Sequence, residues 1–251
     1  MAKQKGIIKI EGTIGDITFF KTKDGYLARE HAPISATQIN THPAFQRTRE
    51  NMAEFGRAGK ASSLLRTAIR TVLQNGKDGR VTSRLTGAFS KVIKADAVNP
   101  RGQRNVIDGE AELLEGFNFN SNAPLNSTLY ALYTASINRV TGELILNLPS
   151  FIPADTIVAP SGATHFKMVG MGASIDFENE VHESTMQETA ILPWDTAPAA
   201  TINMACNVSA NSTHPLFLVM GIQFFQFVNG VYYPLKDGGY NALQIVKVSG
   251  L

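Results

Sequence analysis

Near residue 117 the hydrophobic period of this chain changes, and that change limits it to a fold that builds helices first and strands second. Between Pro43 and Asn99 the apolar residues recur at helical spacing. Phe45, Met52 and Phe55 begin one stripe, and Leu65, Ile69, Val72 and Leu73 continue it. Gly56 and Gly59 interrupt it, which leaves one kinked helix or two, and Gly76 stands where a C-cap is expected. Val81, Leu85, Ala88, Phe89, Val92 and Ile93 form the stripe of a second helix that Asn99-Pro100 ends. From 117 onward the spacing is two. Strands are expected over residues 129–134, 143–148, 165–169, 173–177, 201–204, 216–227 and 242–248. Turn signals separate them at Thr141-Gly142, Ser161-Gly162, Asn229-Gly230 and Asp237-Gly238-Gly239. Ahead of the helices, residues 6–30 read as a β-hairpin or small meander turning at Lys23-Asp24-Gly25. The expected fold class is α+β: an N-terminal β-hairpin with basic helices over 1–116, then an antiparallel β-sandwich over 117–251, jelly-roll-like or Ig-like.

Charge follows the same division. Residues 1–116 hold 19 Lys+Arg against 12 Asp+Glu, a net of +7. Residues 117–251 hold 4 against 9, a net of −5. Between 40 and 104 there are 13 cations and 4 acids, with Arg66 and Arg70, and Arg80 and Arg84, four apart on helix faces. Arg47, Arg49, Arg57, Arg66, Arg70, Arg80 and Arg84 therefore form a candidate basic face. It has two readings: phosphate binding, which is salt-dependent and indifferent to base sequence, or docking on the acidic surface of a neighbouring copy. The cations are spread round the helices and no helix-turn-helix or RNP-type motif accompanies them. An acidic segment, Asp108, Glu110, Glu112 and Glu115, follows directly.

Motifs for chemistry are missing. Cys206 is the sole cysteine, so an intrachain disulfide framework and a multi-cysteine zinc site are excluded. His31, His42, His165, His182 and His214 form neither H-x-x-x-H nor H-E-x-x-H. Glu178-Asn179-Glu180-Val181-His182-Glu183 is the densest set of hard-metal donors, but no D-x-D-x-D-G loop supports it, and a solvated strand is the expectation. Pro160-Ser161-Gly162 lacks the first glycine of a nucleophile elbow, and Gly170-Met171-Gly172 lacks the third glycine of a dinucleotide fingerprint. No catalytic residue, metal or cofactor is expected. Trp194, Tyr232 and Tyr233 are candidate stacking residues for a carbohydrate or cell-surface ligand. No 18-residue apolar stretch and no secretory h-region is present, so synthesis is expected in the cytoplasm without a membrane span.

One stretch of sequence has a resemblance. Gly12-Thr13-Ile14-Gly15-Asp16-Ile17-Thr18-Phe19-Phe20, then Tyr26-Leu27-Ala28-Arg29, then Phe45-Gln46-Arg47-Thr48-Arg49, resembles a group of small bacterial and phage-borne proteins. Those open on G-x-x-G-x-x-x-F, a turn, a Tyr-x-x-Arg strand and a glutamine- and arginine-rich helix. The remainder, including Leu192-Pro193-Trp194-Asp195, looks like uncharacterised proteins of Bacteroidota and their mobile elements. The resemblance implies a structural role of virion or assembly type and supplies no catalytic residue. The expectation is a non-enzymatic subunit that forms homo-oligomers by head-to-tail contacts, in a virion-like or extracellular particle after release. Residues 7–10 and 242–248 are candidate edge strands for it. Carbohydrate binding by the sandwich and nucleic-acid binding by helices 43–97 are the alternatives.

Overall fold

A computed structural model describes residues 1–30, 34–235 and 239–250. His31 and the Asp237-Gly238 turn signal lie outside the described residues. The chain divides into two compact units, Met1–Glu50 and Asn51–Leu251.

In the first unit, β1 (Ala2–Lys3), β2 (Gly12–Ile14), β3 (Ile17–Thr22) and β4 (Gly25–Glu30) form an antiparallel sheet of order β1-β4-β3-β2. The hairpin turns where expected. Gly15 takes φ 55° and Gly25 φ 112°, a region that favours glycine, and the Thr22 hydroxyl accepts from Asp24 N–H at 3.2 Å. Residues 7–10, expected as an edge strand, are not in a strand. A short helix α1 (Ala36–Thr41) follows, capped by Ser35, whose hydroxyl accepts from Gln38 N–H at 3.1 Å. Among the described residues of this unit none is buried.

Next comes α2 (Gln46–Ala68), which runs unbroken through Gly56 and Gly59. Its stripe starts later than the spacing predicts. Ala58, Ala61, Leu65 and Ala68 are buried, whereas Met52 is 58% and Phe55 63% exposed. Ile69 breaks the helix and α3 (Arg70–Leu73) follows. Gly76 has no positive φ. A Cβ there would lie 2.8 Å from Leu243 Cβ, so its smallness admits a strand rather than capping a helix. The stripe of α4 (Val81–Lys94) is buried as expected through Val81, Leu85, Phe89, Val92 and Ile93. Short helices α5 (Leu125–Thr128) and α6 (Pro153–Thr156) lie among the strands that follow.

Two antiparallel sheets complete the second unit. The first joins β5 (Thr134–Asn138), β6 (Glu143–Leu148) and β10 (Ile202–Asn207) in the order β10-β6-β5. The second runs β12 (Val231–Pro234), β11 (Leu216–Val228), β7 (His165–Asp176), β8 (Val181–Glu188), with β13 (Ala242–Ser249) on β11 and β9 (Leu192–Pro193) on β7. The expected strands at 165–169 and 173–177 are one twelve-residue strand, β7. The expected strand at 129–134 is not formed. Leu129 makes an isolated bridge to Ile157 and Leu132 is 86% exposed.

Alternation along β7 and β11 builds two cores from one sheet. Val169, Met171, Ala173, Phe217 and Val219 join the helices α2–α4 in one cluster. Phe166, Met168, Leu218, Met220 and Ile222 join β6 and β10 in the other. A register shift between Leu218 and Val219 lets Ile245 and Val248 of β13 both face the helices. Gly170 and Gly172 explain how the small sheet approaches. A Cβ at 170 would be 2.9 Å from Leu146 Cδ1, and at 172 would be 2.8 Å from the Cys206 carbonyl oxygen. The boundary expected at 116/117 therefore falls inside one unit, because helices before it and strands after it bury a common core.

The outer side of β13 is occupied. Gly116 N–H donates to Ile245 O at 2.8 Å, Ile245 N–H to Phe117 O at 3.0 Å and Phe119 N–H to Leu243 O at 2.8 Å. Residues 242–248 thus offer no open main-chain edge on that side.

Candidate functional site

The seven arginines of the expected basic face differ in their partners. Arg49 Nη1 donates to Ile39 O (2.8 Å) and His42 O (2.9 Å). Arg57 Nη1 donates to Gly102 O (2.8 Å) and Arg104 O (3.1 Å). Arg84 reaches Asn118 O, Phe119 O and the Asp78 carboxylate, with its guanidinium 5.2 Å from the Phe117 ring centroid. Arg66 Nε returns to Ser62 O (3.1 Å), and Arg47 pairs with Glu50 (3.3 Å). Arg70 and Arg80 are exposed. Much of this charge holds the chain's own loops, because a guanidinium supplies several donors to the carbonyls of Gly102, Arg104, Asn118 and Phe119. The acidic segment is similar. Glu115 accepts from Val248 N–H (2.9 Å) and pairs with Lys247 (2.9 Å), and Glu112 accepts from Gly250 N–H (2.6 Å).

Three buried carboxylates are fixed by donors. Burial pushes Asp78 up, but hydrogen bonds from Ser121, Arg80 and Arg84 outweigh it and hold the group at about 2. Burial likewise opposes Asp96, and donors on Asn99, Asn105 and Val98 bring it to about 2. Asp176 lies below its ordinary value because Asn179 donates from backbone and side chain, against the opposing push of burial.

A cleft of about 390 Å³ includes Ser174, Asp176, His182, Glu183, Ser212 and His214. His214 Nε2 stands 3.8 Å from Asp176 Oδ2. The Ser174 and Ser212 hydroxyls bond each other at 2.8 Å, so their polarity is directed at one another rather than at the imidazole. A second cleft of about 370 Å³ has Leu64, Val106 and Phe177 in its floor and an exposed Lys60–Glu180 pair at its rim (3.0 Å). Among the described residues no group of three or more His, Cys, Asp or Glu is arranged to hold a metal ion, and no helix is long and apolar enough to cross a membrane. Burial raises the Cys206 thiol, which suits a packed side chain.

The stacking candidates separate. Trp194 is packed against the core, and its indole N–H donates to Ile157 O at 3.0 Å. Tyr232 and Tyr233 are 42% and 54% exposed on the hairpin that Asn229 (φ 50°) and Gly230 (φ 82°) turn. Tyr232 belongs to an aromatic cluster, its ring 4.7 Å from Phe227 and 5.0 Å from His165. Lys167, paired with Glu188 at 2.8 Å, sits 5.9 Å from the Phe225 ring. By alternation Phe225 and Phe227 share the side of β11 that buries Phe217 and Val219 under the helices. The strand outruns its cover, and the same row emerges into solvent. Following the alternation past residue 222 identifies Phe225 and Phe227 from sequence.

The first unit has a second open apolar row. Pairing of β2, β3 and β4 sets Ile14 beside Ile17, Phe19 beside Ala28 and Lys21 beside Tyr26 on one face. Ile14 is 61% and Ile17 46% exposed, and Ile7 and Ile8 are fully and largely exposed beyond them. No family model, no curated protein and no solved structure matches this chain.

Proposed function

We propose that the chain is a non-enzymatic structural subunit whose copies associate into a larger particle or filament, of phage- or prophage-virion type. The observation that carries the reading is the first unit: a four-stranded sheet with an isoleucine-rich row and no buried residue among those described. Such a sheet lacks the second layer that independent stability requires, and exposed apolar rows of this kind mark association surfaces. The second unit serves as scaffold. The facing of its two sheets supports reading residues 117–251 as an antiparallel β-sandwich with helices on the outer side. The arginines turned onto the chain's own carbonyls favour this over nucleic-acid binding. Light scattering across a concentration series, with electron micrographs of the same samples, tests it. Mass that rises with concentration and repeating particles are expected; a strict monomer at every concentration overturns it.

A further inference from the structure

We infer that the cleft of about 370 Å³ beside α2 binds a free α-amino acid with an apolar side chain. This goes beyond the structural-subunit reading and does not depend on it.

The cleft offers three kinds of surface to one small molecule. Its floor, Leu64, Val106 and Phe177, is apolar and already formed: the Phe177 ring is held edge-on by Phe89 at 5.7 Å and Phe217 at 6.2 Å. A volume of about 370 Å³ suits a small ligand, and such sites pair an apolar lining with a few placed polar groups. Cations come from α2. Arg57 is anchored to Gly102 O (2.8 Å) and Arg104 O (3.1 Å) through Nη1, and a guanidinium carries further donors on its other nitrogens. Lys60 lies three residues on, on the same side of the helix. Carboxylates come from the turn after β7, on Glu178 and Glu180. A third, Asp108, is committed to the side-chain amides of Asn99 (2.8 Å) and Asn105 (2.7 Å).

Two cations and two carboxylates thus stand over an apolar floor. A lone acid would leave Glu178 and Glu180 unanswered, and a lone amine would leave Arg57 and Lys60 so. A zwitterion with an apolar body answers all three surfaces. Lys60 and Glu180 meet each other at the rim at 3.0 Å, with side chains 74% and 58% exposed. A pair so exposed is worth little, so a ligand's carboxylate and ammonium replace it at small cost. Glu180 holds φ 57°, a backbone shape that residues with side chains rarely adopt. Asp176 accepts from Glu178 N–H (2.9 Å) and Asn179 N–H (3.0 Å) and keeps the turn in that shape.

Titration calorimetry of the full chain with L-phenylalanine tests this. A dissociation constant on the order of 1 mM or tighter is expected. The comparators are 3-phenylpropionate, which lacks the amine, phenethylamine, which lacks the carboxylate, and N-acetyl-L-phenylalanine amide, which has neither charge. Each should bind about tenfold more weakly or worse. Lys60→Ala should weaken L-phenylalanine but leave phenethylamine unchanged, and Glu180→Gly should weaken L-phenylalanine but leave 3-phenylpropionate unchanged. Far-UV circular dichroism confirms folding, and Lys60→Gln or Glu180→Asn replaces a variant that fails that check. No heat with L-phenylalanine overturns the inference. Equal binding of the blocked amide overturns it as well, since the floor then takes a protein side chain. Variants that bind like the wild type place binding elsewhere and also overturn it. None of these outcomes bears on whether copies of the chain assemble.

Discussion

The two units use similar side chains to opposite effect. Phe19 and Phe20 in the first are only half-buried, while Phe217 and Phe224 in the second are sealed. Composition does not separate them; layering does. β11 is covered by helices on one face and by β6 and β10 on the other. The four-stranded sheet of residues 1–50 has apolar groups on its faces and, among the described residues, no second layer within its own unit. An apolar row stabilises a fold only to the extent that something removes it from water.

That contrast can be broken most sharply at Phe217. Phe217→Ala removes a fully buried ring stacked edge-on to Phe177 at 6.2 Å and should lower the stability of the main unfolding transition by about 3–5 kcal/mol, read by chemical denaturation. Next is Arg139, which donates to Ser212 O, His214 O, Ser249 O and Gly250 O at 2.6–2.9 Å. Arg139→Ala leaves those carbonyls unmet and should cost about 2–4 kcal/mol in the same transition. A third handle is acid. Asp78 and Asp96 are held at about 2, below the unfolded value near 3.8, so the folded state binds fewer protons than the unfolded state. Their contribution is fully present above about pH 4 and is lost as pH falls toward 2. The urea midpoint should therefore hold steady from pH 7 to 5 and drop below 4, and Asp96→Asn should flatten that drop. The smallest effect belongs to the first unit. Phe20→Ala, in a dilute monomeric sample, should shift the main transition by less than about 0.5 kcal/mol, because that ring lies outside the sealed cores.

Local rules made much of the second unit legible. Asn229-Gly230 demanded a turn with two positive φ values and has one, and the α4 stripe is buried residue by residue. The partners of the arginines were not legible because some are distant in sequence: Arg57 finds its carbonyls 45 and 47 residues away. Nothing in a helical wheel distinguishes a guanidinium turned to solvent from one turned to a remote loop. Met52 and Phe55 fit the period of their helix yet stay exposed, since periodicity says which residues share a face and not what covers it. The boundary expected at 116/117 lies inside the unit Asn51–Leu251 for a related reason. A change of period marks a change of element, and here both kinds of element close over one core.

The partition made by β11 also bears on how this chain tolerates change. Odd-numbered residues such as Phe217 and Val219 answer to the helices, while even-numbered ones such as Leu218 and Met220 answer to the small sheet. A slip of one position would exchange both sets at once, so the register is guarded twice. Conversely, the two sets vary with little reference to each other. Phe217→Ala and Met220→Ala, three residues apart, should combine additively to within about 0.5 kcal/mol, whereas Phe217→Ala and Val219→Ala should couple. Neighbours along this strand are strangers in energy, and their real companions lie in other segments of the chain.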